Sequence, residues 1–167
     1  MAHDEWTDQQ RRTFIASLNT RLPKKRVIAQ GIVRNERDEI LLCQLTYKQA
    51  WDLPGGVVDD NESPAACLER EVREELGVEL PARDLITTTW LPPYRGWDDA
   101  VLFLFDLGRT DAAFAATLTL QPREIVAVHW CPIDELAAHV APYTVRLLTS
   151  ALAEAPAIYL EDGLEPG

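Results

Sequence analysis

Glu71, Glu74 and Glu75 fall within five consecutive residues in the run LEREVREELGV, Leu68 to Val78. At about 100° per residue they occupy a single arc of about 100° on a helical wheel, so a helix here makes three carboxylates converge on one side. Such like charges repel unless a cation intervenes. A cluster of hard oxygen donors suits Mg²⁺ or Mn²⁺, ions that bridge to phosphates while keeping some of their water. Arg70, one turn before Glu74, orients or partly neutralises it. These residues therefore suit metal-mediated contact with the phosphates of a substrate.

The elements that position them are legible locally. Ser63 caps a helix, Pro64 suits its first position, and Gly77 suits the left-handed residue after its last turn, which predicts a helix over Pro64 to Leu76. Ala65, Leu68, Val72 and Leu76 form a narrow apolar stripe that turns toward a core. Just upstream, Gly55 and Gly56 form a glycine loop that feeds the helix. Val27 to Val33 and Ile40 to Leu45 are β-prone and separated by the polar turn Arg34 to Glu39, which predicts a hairpin. Leu85 to Trp90, Val101 to Asp106 and Ile125 to Trp130 are further strands. Thr7 and Gln10 have capping-box spacing for a helix from about Asp8 to Asn19, part of an amino-terminal helical extension at about 5–20. Ile133 to Val140 reads as a short helix, and Pro142 starts another with Val145, Leu148 and Leu152 at helical spacing. Residues Glu161 to Gly167 are expected to fray. This order favours an α+β architecture, an α/β/α sandwich with a mixed β-sheet between helices. The 167 residues suit a single domain over 1–167.

The segment Gly56 to Val78 resembles the Nudix box, the signature of the Nudix hydrolase family. Gly56, Glu62, Arg70, Glu71, Val72, Glu74, Glu75, Gly77 and Val78 fill every specified position, and Trp51 with Leu53 to Gly55 resembles the usual approach. Asp59 stands where a further Glu is common. The resemblance implies the Nudix fold and a Mg²⁺- or Mn²⁺-dependent hydrolase that splits a diphosphate linkage in a nucleoside diphosphate derivative, releasing a nucleoside monophosphate. It implies Glu71, Glu74 and Glu75 as metal ligands and a general base from a later loop, for which Glu124 is the candidate. Glu62 organises the loop, with Gly55 and Gly56, through Arg70. Pro93 and Tyr94 match the positions associated with both ADP-ribose and dinucleoside polyphosphate enzymes, so the substrate stays open. A nucleotide-sensing or regulatory module without catalysis is the alternative.

Outside the box the readings divide. Tyr94 and Trp97 stack on a base or anchor their own Pro-rich loop, and Arg95 pairs with phosphate. Lys48 and Arg26 meet phosphates or are solvated surface charges. Glu124 is a base or an ordinary charge at a strand edge. His129 and His139 lack metal-ligand spacing and take no role. Cys43, Cys67 and Cys131 have no CxxC pairing and read as buried thiols. The formal net charge of -11 argues against a nucleic acid polymer as partner, leaving a small nucleotide approached through cations. No apolar run reaches the roughly 20 residues needed to span a bilayer, so a cytoplasmic protein is expected. A homodimer stays open, since the amino-terminal helix packs either on its own core or on a neighbouring subunit.

Overall fold

The computed structural model describes residues 6–167; the expected start of the helical extension at residue 5 lies outside them. Helix α1, Asp8–Asn19, carries the complete capping box: Thr7 Oγ1 accepts from Gln10 N and Gln10 Oε1 accepts from Thr7 N. Strands β1 (Arg26–Arg34), β2 (Ile40–Leu45) and β3 (Gly55–Val57) precede helix α2, Pro64–Leu76. Strands β4 (Leu85–Leu91), β5 (Ala100–Arg109) and β6 (Ile125–Cys131) follow, with a 3₁₀ turn at Ala112–Thr117. Ile133–Glu135 is 3₁₀ and runs into α3, Leu136–His139; α4 spans Pro142–Ala151 and β7 spans Tyr159–Glu161.

The sheet has seven strands in the order β6-β2-β1-β5-β4-β7, with β3 also on β1. β1 lies parallel to β5 from Arg26↔Ala100 onward, and β4 lies antiparallel to β5 and parallel to β7. The mixed sheet is covered on both faces. One face packs Ile32, Leu102, Leu104, Leu147 and Leu148, bringing in α4; the other packs Val33, Leu41, Phe105, Leu68, Val72 and Leu76, bringing in α2. Burying each such aliphatic side chain contributes about 1.5–3 kcal/mol, which fixes α2 against the sheet.

Four expectations change. The β1–β2 hairpin exists, but only Arg34↔Ile40 is in register, because β3 takes the edge of β1 at Ile28–Gln30 and β2 turns to β6. On α4 the buried face is Thr144, Leu147, Leu148 and Ala151, with Val145 and Leu152 only partly covered. On α2, Cys67 and Glu75 are buried beside Leu68, Val72 and Leu76, whereas Ala65 is half-exposed. The tail does not fray at Glu161, which pairs with Trp90, and Gly163 N donates to Thr89 Oγ1 at 3.1 Å. All three cysteines are free and buried. Among the described residues no helix is long and apolar enough to cross a membrane.

Candidate active site

The approach to α2 is set by two glycines whose side-chain space is taken by their neighbours. Gly55 has φ +131°, and a Cβ there would lie 2.1 Å from Ala29 O, so the chain presses on β1 without room for a side chain. At Gly56 a Cβ would lie 2.6 Å from Glu71 Cδ, so this glycine admits the carboxylate. Ser63 Oγ accepts from Ala66 N at 3.2 Å, and Gly77 closes the helix at φ +69°.

Glu75 is only 5% exposed. Its Oε2 accepts from Gly55 N at 3.1 Å, and among the described residues no cationic side chain pairs with it. Burial raises its carboxyl to about 8, partly opposed by the Gly55 hydrogen bond and reinforced by the charges of Glu71, Glu124 and Asp52. Glu71 is half-buried and also raised, first by burial, against the pull of Arg70. Glu74 is exposed.

Arg70 is the hub of the outer half of the site. Its Nε and Nη2 donate to both oxygens of Glu62 at 2.8 and 3.0 Å, a bidentate fork, while Nη1 reaches Glu71 at 2.8 Å and Glu74 at 3.2 Å. The fork holds Glu62 down to about 2, and Glu62 Oε2 also accepts from Asp59 N at 3.0 Å, tying down the loop before the helix. Asp59 itself stands 3.7 Å from Arg70.

The three carboxylates share a side of α2 but do not gather about one point: among the described residues no group of three or more His, Cys, Asp or Glu side chains does so. Glu71 and Glu74 turn to Arg70 and Glu75 turns to Gly55 N, as repelling charges do when the nearest donors are a guanidinium and a backbone amide. The donor set nonetheless fits a hard divalent cation, because it is all oxygen and its buried member has no positive partner.

Glu124 lies on the segment that closes the end of α2. Gln121 N donates to Glu75 O at 2.9 Å, Glu124 N to Gln121 O at 3.0 Å, and Thr46 N to Glu124 O at 2.9 Å. Its side chain is exposed, and its charge is felt at both Glu71 and Glu75. The tip of the β4–β5 connection is elsewhere. Tyr94 and Trp97 face each other across a two-residue turn in which Arg95 and Gly96 both have positive φ. They are 58% and 63% exposed, so they do not anchor the loop. Trp90 Nε1 to Asp99 and the Lys25–Asp99 pair do that instead. Guanidinium groups cover both rings, Arg26 over Trp97 at 4.7 Å and Arg95 over Tyr94 at 5.1 Å. Among the described residues no hydrogen bond or ion pair joins this tip to α2 or Glu124.

A polar island on the α4 side of the sheet escaped the sequence reading. Asp52, 8% exposed, accepts from Gln30 Nε2 and Leu53 N, each at 2.9 Å, and from Lys48 Nζ at 3.1 Å. Lys48 is thus held by a buried carboxylate. The Lys48–Asp52 spacing of four was visible in KQAWD, but Gln30 arrives from β1 and carried no local signal. Trp51 is stacked between His129 and His139 at 4.0 Å on each side, which gives both histidines a structural place.

A family model for the NUDIX domain matches residues 24–149. A MutT-like protein of Streptomyces ambofaciens is 27% identical over 142 residues, 84% of this chain and 86% of that protein. An 8-oxo-dGTP diphosphatase of Proteus vulgaris is 33% identical over 69 residues, 39% of this chain and 62% of the relative. A CMP-5'-(N-acetyl-N-hydroxy-3-aminopropyl)phosphonate hydrolase of Streptomyces rubellomurinus is 32% identical over 111 residues, covering 64% of this chain and 51% of its own length. Among solved structures, a UDP-X diphosphatase superposes with TM-score 0.69 at 17% identity, covering 93% of this chain and 76% of that one. A MutT protein from Methanosarcina mazei Go1 gives 0.61 at 24% identity, covering 74% and 91%. At these identities the structural likeness shows the fold.

Proposed function

Because this chain belongs to the Nudix hydrolase family, we propose that it is a Mg²⁺-dependent pyrophosphohydrolase that splits the diphosphate of a nucleoside diphosphate derivative and releases a nucleoside monophosphate. The observation that carries the reading is Glu75: a buried carboxylate with no positive partner, beside two further carboxylates and a glycine loop. A buried charge of that kind is stabilised by a cation that arrives with the substrate or before it.

Glu71, Glu74 and Glu75 would hold the ion, whose chemistry when bound is neutralisation of phosphate charge and activation of a water. Arg70, itself clamped by Glu62, presents Glu71 and Glu74 in fixed positions. The Gly55-Gly56 backbone lets the loop press on β1 and lets the Glu71 carboxylate close on Gly56, which holds that ligand against the loop. Glu124, exposed and electrostatically coupled to Glu71 and Glu75, accepts the proton of the attacking water. Tyr94, Arg95 and Trp97, which no hydrogen bond or ion pair among the described residues joins to α2 or Glu124, take the part of the substrate beyond the diphosphate, and Lys48, paired with Asp52, meets a phosphate. The names of the relatives share a nucleotide and differ in what is joined to it.

The test is incubation of the purified chain with Mg²⁺ and a panel of nucleoside triphosphates, ADP-ribose, nucleotide sugars and dinucleoside polyphosphates, with monophosphate release as readout. Hydrolysis of at least one, lost with chelator, is expected. Binding of one compound with no hydrolysis of any would replace the enzyme by a sensor.

A further inference from the structure

The loop between β2 and β3 carries Lys48 and Asp52, and a stack of three rings fixes it. Trp51 lies between His129 of β6 and His139 of α3, with ring centroids 4.0 Å away on each side and planes tilted by 8° and 5°. Aromatic pairs more often sit about 4.5–7 Å apart, offset or edge-on, so these rings are held in close parallel contact. The backbone is pinned at the same place. Trp51 N donates to His139 O at 2.8 Å, and Asp52 exchanges two hydrogen bonds with Cys43 at 2.7 and 2.9 Å. Three segments distant in the chain thus meet on the indole that directly precedes Asp52.

Phenylalanine would fill either outer place, but only imidazole takes up a proton near neutral pH. His129 Nε2 lies 2.9 Å from Gln44 Oε1; an amide oxygen accepts, so Nε2 carries the hydrogen and a second proton goes to Nδ1. No negative group faces it. β2 offers the neutral Gln44, the loop offers Trp51 while Lys48 is turned to Asp52, and α3 offers His139. Asp134 and Glu135, ahead of α3, are exposed and act on Cys131 instead. Burial therefore holds His129 below its ordinary 6.5, and the charge of His139 pushes the same way. A histidine lowered on folding lends stability above its unfolded value and loses it as pH falls through the folded value. One proton on the stack is met by the indole face; a second puts like charges on both faces of the same ring.

We propose that His129, Trp51 and His139 are positioning residues for substrate phosphate: closed, their stack fixes the loop so that Asp52 presents Lys48, and charging both imidazoles in acid releases it. This rests on the reading that Lys48 meets a phosphate. Lys48 Nζ donates to Asp52 Oδ2 at 3.1 Å, while Gln30 Nε2 and Leu53 N hold Asp52 Oδ1 at 2.9 Å each. Asp52 holds the ammonium in one place only while its own backbone is fixed, and the Trp51 stack secures that backbone. Gly55, which donates to Glu75, is instead placed by its pairing with Gln30 on β1. Release of the stack is therefore read in substrate affinity and not in turnover.

The test compares the full chain with a double variant, His129→Phe with His139→Phe, which keeps three stacked rings and removes both protons. Between about pH 7.5 and about pH 5.5, KM of the parent should rise about tenfold more than that of the double variant, while kcat follows one pH profile in both. Trp51→Ala at the upper pH should raise KM at least about tenfold with kcat within about twofold, its fold checked by circular dichroism. A second readout needs no turnover. The emission of Trp51, taken as the difference between the chain and Trp51→Phe, should titrate between about pH 5 and about pH 7 in the parent and stay flat in the double variant. If no compound is hydrolysed, the hydrolase reading falls, and affinity for inorganic pyrophosphate with Mg²⁺ replaces KM as the measure of the stack. Parallel affinity profiles in parent and double variant, an emission that does not titrate, or a Trp51→Ala chain that loses kcat and keeps KM would each overturn the proposal.

Discussion

Glu75→Gln should make the metal-free protein more stable while removing its activity. The substitution keeps the shape of the side chain and an oxygen to accept from Gly55 N, and removes only the ionisable group, whose ionisation favours the unfolded chain. In the folded chain burial lifts the Glu75 carboxyl to about 8, above its ordinary value of 4.5. A carboxyl raised on folding stabilises fully only below its unfolded value, and that contribution is withdrawn as pH climbs toward the folded value. Each pH unit in that window removes about 1.4 kcal/mol. At pH 7 the metal-free parent has therefore lost about 3 kcal/mol to this group, and at pH 5 only about 1 kcal/mol. Because Glu75 is 5% exposed, solvent screening leaves most of this intact. Urea unfolding in EDTA should show Glu75→Gln ahead of the parent by about 3 kcal/mol at pH 7, with the gap narrowing toward pH 5. Adding Mg²⁺ should raise the parent more than the variant, and turnover of the variant should fall by about 100-fold or more. A variant no more stable than the parent at pH 7, or a gap that does not shrink in acid, would refute the claim that burial without a cation holds Glu75 back from ionising.

Neighbouring positions separate fold from chemistry. Gly55→Ala meets backbone at 2.1 Å and a φ of +131°, so it should destabilise the protein by about 3 kcal/mol or more, read as a lowered denaturation midpoint. Gly56→Ala instead meets the movable end of Glu71; its midpoint should stay near the parent's while hydrolysis falls, and an unchanged rate would remove Glu71 from the site. Glu124→Gln should slow turnover by about 100-fold or more with Mg²⁺ binding retained by titration calorimetry; near-normal turnover would take it out of the mechanism. Arg70 holds Glu62 down to about 2, so their pairing stabilises the fold above the ordinary carboxyl range and is lost as pH falls through about 2. Glu62→Gln should flatten that acid limb of the stability profile, which an acid titration followed by circular dichroism would show.

Helix α2 was legible because every signal for it is local. Ser63, Pro64 and Gly77 act within a turn of the ends they set, and the Glu62–Arg70 fork joins residues eight apart on one short loop and helix. The same holds for α1 and its capping box at Thr7 and Gln10. The resemblance to the Nudix box, carried by nine positions between Gly56 and Val78, was likewise a property of one continuous segment. What no window could show depends on partners distant in the chain. β3 is three residues long and exists because β1 pairs with it; β7 exists because β4 does. Gln30 joins Asp52 only after β1 and the loop before β3 are brought together. Tyr94 and Trp97 have the composition of loop anchors, yet Trp90 and Lys25 fasten Asp99 and leave both rings on the surface, each beside a guanidinium. The wheel placed three carboxylates on one side of α2, but only packing decided that Glu75 is buried without a cation, Glu71 half-buried and Glu74 exposed. Residue type and spacing along one helix set which groups face the same way; burial, and with it the energy of each charge, is set by what the rest of the chain lays against them.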